Sequence, residues 1–77
     1  MWNIYLLLCD ETIIYTGMTN NLKRRFSQHK NKHSVYTSRF SELKLIYTEN
    51  YETKIEAVNR EKEIKKWSKK RKLALIK

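Results

Sequence analysis

The sequence predicts a small α+β domain in which a three-stranded, mostly antiparallel sheet is flanked by helices, in the order β-β-α-β-α-α. The chain has 77 residues, a length that suits one small domain and not two. Its first third holds two runs of aromatic and β-branched residues, and its last third holds two helix-capping patterns. No repeat, low-complexity tract or linker divides the chain, so we expect residues 1–77 to form a single domain.

The first two runs predict an N-terminal hairpin. Residues 2–8 form the expected first strand and residues 12–16 the second. A two-residue loop would prefer glycine or asparagine at positive φ, which this segment lacks, so a three-residue loop over residues 9–11 is expected. This register places Tyr5 directly opposite Tyr15, with both side chains on one face of the sheet.

The middle of the chain predicts a helix and then a third strand. Thr19 and Asn20 can cap a helix that runs to about Lys30. Residues 31–42 are polar and irregular, and residues 43–49 then alternate well enough to form a strand. The first helix therefore connects the hairpin to the strand that completes the sheet.

The last third of the chain predicts two more helices. The segment Thr53-Lys54-Ile55-Glu56 is a capping box, which opens a second helix that continues to about Trp67. Ser68 can cap a short third helix that ends in the apolar residues 73–76. These two helices complete the predicted order of elements.

The first helix carries two candidate functional residues at its core-facing edge. Leu22 and Phe26 define its apolar stripe, and Arg25 and His29 lie one turn apart beside that stripe. Arg25 could instead cover Phe26 with its aliphatic stem, and His29 could be a structural histidine. The periodicity alone leaves both interpretations open.

The second helix carries a carboxylate in its apolar stripe. Ala57, Val58 and Ile64 form the stripe, and Glu61 lies between them. Burying an unpaired charge is costly, so Glu61 requires either a cationic partner such as Arg25 or a metal ion. An Arg25–Glu61 ion pair and a metal site are both consistent with this position.

The charge of the chain points to a polyanionic partner. Its 17 Lys and Arg against 8 Asp and Glu give a net charge of +9, which favours nucleic acid, with an anionic membrane surface as the competing interpretation. Residues 12–41 contain no acidic side chain, and basic and aromatic residues alternate there. A second basic block spans residues 57–77 and could be a solvated helix face. The candidate nucleic-acid contacts are Lys23, Arg24, Lys30, Lys32, His33, Tyr36 and Arg39.

Several classes of protein do not fit this composition. The single cysteine can form neither an internal disulfide nor a multi-thiolate zinc site. The apolar run over residues 4–8 is too short to span a bilayer, and no Lys or Arg precedes it as in a signal peptide. The basic residues are spread over several elements, unlike those of an amphipathic membrane-surface helix. We therefore expect a cytoplasmic protein without a membrane partner.

Five elements at characteristic spacings resemble the GIY-YIG nuclease domain family. They are Asn3-Ile4-Tyr5, then Tyr15-Thr16-Gly17, then Arg25 eight residues after the glycine, His29 four residues further, and Arg60-Glu61 on a later helix. The likeness covers residues 2–76 and is greatest to the small stand-alone, URI-type branch of predicted endonucleases, in which a Tyr-Thr-Gly version of the second motif is usual.

The resemblance implies a metal-dependent hydrolytic site. It assigns Glu61 to a single divalent cation, Mg²⁺ or Mn²⁺, and Arg25 to neutralising the transition state at phosphorus. Tyr5 or Tyr15 would deprotonate or orient the attacking water. Because tyrosine has a pKa near 10, Arg25 and the metal would have to lower that pKa.

The resemblance also implies roles for two further residues. His29 would hydrogen-bond the phosphate or a tyrosine, and Gly17 would let the backbone leave the second strand at an angle that no Cβ tolerates. Larger members of the family carry an active-site asparagine beyond the glutamate helix, whereas no asparagine follows Asn59 here. Another group could take its place, or the activity could be weak or depend on a partner.

The function implied is a metal-dependent endonuclease that hydrolyses DNA phosphodiester bonds with low sequence specificity, in DNA repair or recombination. We expect the protein to be a monomer. The sequence does not decide whether RNA is also a substrate or whether an accessory protein is needed. The alternative is a non-catalytic basic module that binds DNA or RNA without cutting it. The combination of both tyrosines with Arg25, His29 and Glu61 favours the enzyme, because a binding module needs the charge but no carboxylate in a core stripe.

Overall fold

A computed structural model of the protein describes residues 1–31 and 37–76. It confirms the predicted α+β class, element order and three-stranded antiparallel sheet, with the strands arranged β2-β1-β3. The elements are β1 (Trp2–Cys9), β2 (Ile13–Thr19), α1 (Leu22–Lys30), a 3₁₀ turn (Thr37–Arg39), β3 (Leu43–Tyr51), α2 (Lys54–Lys65) and α3 (Lys69–Ala74). No helix in these two ranges is both long enough and apolar enough to cross a membrane.

Strand β1 lies between the other two strands and is covered on both faces. Ile4 and Leu6 are fully buried on the face against which α2 packs. Tyr5 and Leu7 point to the opposite face, where α1 packs. Because both faces are covered, residues 4–9 form a continuous apolar run and do not alternate with polar residues.

The hairpin has a three-residue loop as predicted, but the predicted register is wrong. The loop consists of residues 10–12, so Tyr5 pairs with Gly17 and not with Tyr15. Because the loop lies one residue later than predicted, the partner of each β1 residue shifts by two positions. A shift of two keeps the two tyrosines on the same face of the sheet.

Contacts between Asp10 and a later segment explain where this loop lies. Asp10 Oδ1 accepts a hydrogen bond from the Glu42 N–H at 2.7 Å, and the Asp10 N–H donates to the Glu42 carbonyl at 2.8 Å. Asp10 Oδ2 also accepts from the Ser41 N–H. Asp10 and Glu11 adopt φ values of 49° and 59°, a conformation that is unfavourable for residues other than glycine. The hydrogen bonds from Asp10 to residues 41 and 42 offset this cost. Local turn preferences cannot predict them, because the partners are about 30 residues apart in the chain.

Helix α1 is capped by Asn21, one residue after the predicted Thr19 and Asn20. Asn21 Oδ1 accepts a hydrogen bond from the Arg24 N–H at 3.1 Å. Thr19 instead ends β2, and its hydroxyl accepts from the Asn21 N–H at 3.1 Å. The helix ends at Lys30, as predicted.

The capping signals of the last two helices are confirmed. In α2 the Thr53 hydroxyl accepts from the Glu56 N–H while the Glu56 carboxylate accepts from the Thr53 N–H, both at 3.3 Å. The helix ends at Lys65, two residues before the predicted end at Trp67. Ser68 caps α3 by accepting from a backbone N–H in its first turn.

Candidate active site

Strand β1 and helix α1 bring Tyr5 and His29 together in the interior of the protein. The Tyr5 hydroxyl lies 2.9 Å from His29 Nε2, and His29 Nδ1 lies 2.6 Å from Thr37 Oγ1. All three residues are buried. A neutral imidazole offers one N–H and one lone pair, so the two contacts form a continuous hydrogen-bond chain from Tyr5 through His29 to Thr37.

Burial keeps Tyr5 and His29 uncharged at pH 7. It raises the pKa of Tyr5 to about 12, although hydrogen bonding and charge from Arg25 act in the opposite direction. Arg25 thus acts on the pKa of Tyr5 in the expected direction, but lost hydration outweighs the guanidinium and the net pKa is raised. Burial, together with the nearby charge of Arg25, lowers the pKa of His29 to about 4.

Arg25 approaches the same group of side chains from the preceding turn of α1. Hydrogen bonding to Tyr5 is the largest of the effects that raise its pKa, and Tyr15 contributes in the same direction. The Tyr15 ring lies with its centre 5.2 Å from that of His29 and 6.2 Å from that of Tyr5. The fold thus brings together four side chains that the sequence predicts to lie close to one another: Tyr5, Tyr15, Arg25 and His29.

Gly17 is required for a reason that differs from the predicted one. It lies inside β2 and has no positive φ, so the backbone does not leave the strand at an unusual angle there. Instead, the Tyr5 ring lies directly over Gly17, where a Cβ would overlap Tyr5 Cζ and Oη and come within 2.9 Å of Cε1. The missing side chain provides the space that the Tyr5 ring occupies.

Gly17→Ala is expected to destabilise the protein by about 1–3 kcal/mol, because the added methyl group has to displace the Tyr5 ring. Urea unfolding followed by circular dichroism measures this loss. Met18→Ala, in the same strand but on the other face, serves as a comparison that leaves the Tyr5–His29 contact in place. An unchanged His29 titration in Gly17→Ala would contradict the steric explanation.

Glu61 lies on α2 and has no arginine partner among the residues that the structure describes. Its side chain is 19% exposed, and Oε2 lies 3.6 Å from Lys65 Nζ. The alternative Arg25–Glu61 ion pair is wrong, since both residues are described and no such pair forms between them. The charge of Glu61 raises the pKa of Tyr5 less than burial and the neighbouring Tyr15 do.

The donor chemistry around Glu61 fits a single divalent cation. Mg²⁺ is commonly held by one or two carboxylates, with water and phosphate oxygens completing its shell. Within residues 1–31 and 37–76, no three His, Cys, Asp or Glu side chains are grouped so that they could hold a metal by themselves. Glu61 suits a cation that is held by one carboxylate and by water and phosphate oxygens, because the Glu61 carboxylate is partly accessible and is not neutralised by a guanidinium.

The candidate nucleic-acid contacts in the described residues lie on and after α1. Lys23, Arg24 and Lys30 are exposed on the helix, and Arg39 is exposed in the 3₁₀ turn. The first turn of α1 has no acidic residue, so no carboxylate of that turn offsets the positive potential. Three other candidates lie outside the described residues: Lys32, His33 and Tyr36.

The sequence did not predict the contact made by Thr37. This residue comes from the polar segment 31–42, in which neither periodicity nor a capping pattern distinguishes one hydroxyl from another. By contacting His29 Nδ1, the Thr37 hydroxyl fixes the orientation of the imidazole ring and thereby which nitrogen faces Tyr5. Thr37 can be recognised as the partner of His29 only from the packing of the 3₁₀ turn against α1.

A second polar cluster, also not predicted, joins β3 to α2 beside Glu61. Arg60 Nε and Nη2 each donate to the Glu49 carboxylate at 2.9 Å, and the hydroxyls of Tyr47 and Tyr51 donate to it as well. These bonds, chiefly that from Arg60, lower the pKa of Glu49 to about 2. The spacing of Tyr47, Glu49 and Tyr51, two residues apart on a strand, was the signal available in the sequence.

The stability of the protein is expected to fall as the pH decreases from 6.5 to 4. The pKa of His29 is about 4 in the folded state and near 6.5 when unfolded, so the unfolded chain binds the extra proton in this window. The loss reaches at most about 3 kcal/mol. Urea unfolding at several pH values, in a His33→Gln background that leaves His29 as the only histidine, measures it. An NMR-observed His29 pKa near 6.5 would contradict this.

Comparisons with known proteins identify the family. Residues 1–74 match the family model described as the GIY-YIG catalytic domain. A UPF0213 protein of Clostridium perfringens is 43% identical over 95% of this chain and 80% of its own length, and one of Staphylococcus saprophyticus is 38% identical over 95% and 90%. The solution NMR structure of a UPF0213 protein from Bacillus halodurans is similar, with a TM-score of 0.62, 32% identity and coverage of 99% of this chain and 83% of that one. The chain therefore belongs to the GIY-YIG family.

Proposed function

We propose that this protein is a metal-dependent endonuclease that hydrolyses phosphodiester bonds in DNA with low sequence specificity. The observation that carries the proposal is the buried Tyr5–His29 hydrogen bond with the Arg25 guanidinium beside it, together with the partly accessible Glu61 carboxylate on α2. A cation for the phosphate, a carboxylate for a metal and a neutral hydroxyl for water are the groups that phosphodiester hydrolysis requires.

Arg25 would bind and stabilise the reacting phosphate. Its guanidinium is always charged and offers paired donors that match two phosphate oxygens. Its Nη1 donates to Gln28 Oε1 at 3.1 Å, and interaction with Tyr5 and Tyr15 raises its pKa, so the guanidinium is charged and partly positioned before substrate arrives. A preorganised cation stabilises the charge that develops on the phosphate during attack.

Glu61 would hold the divalent cation, Mg²⁺ or Mn²⁺. When bound, such a cation polarises the scissile phosphate and stabilises the leaving oxygen. The Arg60–Glu49 cluster fixes the turn of α2 from which Glu61 projects. Lys65, 3.6 Å from Glu61, faces water and can release the carboxylate at little cost.

Tyr5 would orient the attacking water and relay its proton. When His29 Nδ1–H donates to Thr37, the Tyr5 hydroxyl donates to His29 Nε2 and its oxygen is left as an acceptor. Because Tyr5 is buried, the attacking water would have to be brought to this oxygen on substrate binding. As water attacks phosphorus, its proton moves to Tyr5 Oη while the Tyr5 proton moves to His29 Nε2. Phosphate bound at Arg25 offsets the positive charge that contributes to the low pKa of His29, which makes the imidazole a better acceptor.

The exposed cations on α1 would bind the backbone on either side of the cut. Lysines and arginines on an open helix face contact phosphates and carry no sequence information by themselves, which is consistent with low specificity. We propose that the protein acts as a monomer in the cytoplasm, in DNA repair or recombination.

Nicking of a supercoiled plasmid and cutting of branched DNA with Mg²⁺ or Mn²⁺ test the proposal. Wild type is expected to cut, and Glu61→Gln to cut at least about 100-fold more slowly. Glu63→Gln, the same change two residues later on an exposed side chain, should leave the rate nearly unchanged. Wild type that binds DNA but cuts neither DNA nor RNA would favour the non-catalytic binding module. Cutting that survives Glu61→Gln would contradict the metal assignment.

A further inference from the structure

Two of the four basic residues of helix α3 interact with the rest of the fold. The exposed Arg71 places its guanidinium 4.2 Å from the centre of the Trp67 ring, and burial lowers the pKa of the half-buried Lys72. The side chains of Lys69 and Lys70 are exposed and form no ion pair or hydrogen bond with any residue that the structure describes. Intramolecular contacts therefore account for only part of the charge on this helix.

The two exposed lysines border an open apolar depression. Lys69, Lys70, Leu73 and Ala74 line a volume of about 630 Å³, which we call the α3 basic surface. Leu73 is 36% exposed there, although Leu75 of the same segment packs into the core. A surface that combines two cations with an apolar floor suits a ligand that has negative charges beside flat apolar groups.

Nearby carboxylates do not neutralise this surface. Residues 64–77 contain seven Lys and Arg and no acidic residue. Glu61 and Glu63, the acidic residues of α2 nearest to this segment, already lie beside Lys65 and Arg60. The segment therefore repeats the acid-free pattern of residues 12–41, on the side of the sheet opposite to Tyr5.

We propose that the α3 basic surface is a second nucleic-acid contact outside the active site, at which Lys69 and Lys70 bind two backbone phosphates and Leu73 packs against a sugar or base. The choice of nucleic acid over other polyanions rests on the proposed function. The α3 basic surface and the active site lie on opposite faces of the sheet in a protein whose longest dimension is 32 Å, so this surface would be a contact separate from the active site.

Fluorescence anisotropy with a labelled 25-base-pair duplex and a 25-nucleotide single strand tests this contact, in EDTA so that nothing is cut. Lys69→Gln/Lys70→Gln is expected to bind about tenfold more weakly at 0.1 M salt, and the slope of log affinity against log salt should fall by about 2. Lys44→Gln/Lys54→Gln removes the same two charges from β3 and the start of α2, and should change affinity less than about twofold. Lys69→Arg/Lys70→Arg should bind like wild type.

Equal losses in the two Gln pairs, or an unchanged salt slope in Lys69→Gln/Lys70→Gln, would overturn the proposal and leave the active site untouched. A lysine-dependent affinity for phosphatidylserine vesicles or polyglutamate, with none for nucleic acid, would also overturn it. Weaker DNA binding by Lys69→Gln/Lys70→Gln, in a protein whose wild type cuts nothing, would support this contact while contradicting the proposed nuclease activity. The two proposals can thus fail separately.

Discussion

Arg25→Ala is expected to lower the rate of DNA cleavage by about 10³-fold or more while the protein stays folded. Removing an arginine that stabilises a phosphoryl transition state has costs of this size in other phosphoryl-transfer enzymes. Here the guanidinium is held beside Tyr5 and Tyr15 at the edge of the buried cluster, where solvent screens its charge less than at the surface. Single-turnover cleavage of a saturating DNA substrate measures the chemical step apart from binding.

Arg24→Ala is the matched control for this prediction. Arg24 is the neighbouring residue on the same helix, carries the same charge and is exposed to solvent. Its removal should weaken DNA binding and lower the salt slope by about 1, with little effect on the saturated rate. Arg25→Lys should restore only part of the rate, because an ammonium cannot bind two phosphate oxygens in the fork geometry. Equal rate losses for Arg24→Ala and Arg25→Ala would mean that Arg25 contributes general charge and no specific stabilisation.

Arg25→Ala also has a readout that does not depend on activity. The charge of Arg25 contributes, after burial, to the low pKa of His29. Removing the charge should therefore move the His29 pKa upward from about 4, as measured by NMR. An unchanged pKa would place the guanidinium too far from the imidazole for the proposed mechanism.

Arg60→Met is expected to destabilise the fold by about 3 kcal/mol, since it leaves the Glu49 carboxylate buried without its cation. Both side chains are largely buried, at 24% and 13% exposure, and the remaining tyrosine hydroxyls cannot replace a bidentate guanidinium. For a domain of this size such a loss lowers the melting temperature by roughly 15 °C. Chemical denaturation followed by circular dichroism gives the free energy of unfolding directly.

Two further variants distinguish the loss of the Arg60–Glu49 ion pair from the loss of a positive charge in general. Lys44→Met breaks an exposed pair with Glu11, 3.2 Å long, and should cost less than about 1 kcal/mol. Arg60→Met combined with Glu49→Leu should recover most of the stability lost in Arg60→Met, because no unpaired charge then stays in the interior. A double variant as unstable as Arg60→Met alone would show that packing of the arginine against Trp67 matters more than the ion pair.

Local signals in the sequence were sufficient to predict the helices and strands, and to predict which side chains lie near one another at the candidate site. The Thr53–Glu56 capping box acts within one turn, and the period of two in a strand places Tyr5 and Tyr15 on the same face even when the register is wrong. The period of a helix likewise places Arg25 and His29 one turn apart. These regularities depend only on residues a few positions apart, so they survive errors in long-range pairing.

The sequence by itself thus determined the fold class, the family and a set of side chains that share one region of the protein. Only the tertiary structure decided that Tyr5 lies over Gly17, that His29 bonds Thr37, and that Glu61 does not pair with Arg25. It also decided the protonation of the cluster, since burial outweighs the neighbouring charge in raising the pKa of Tyr5. Register, desolvation and the choice of ion-pair partner depend on residues far apart in the chain, and no local pattern encodes the distances between them.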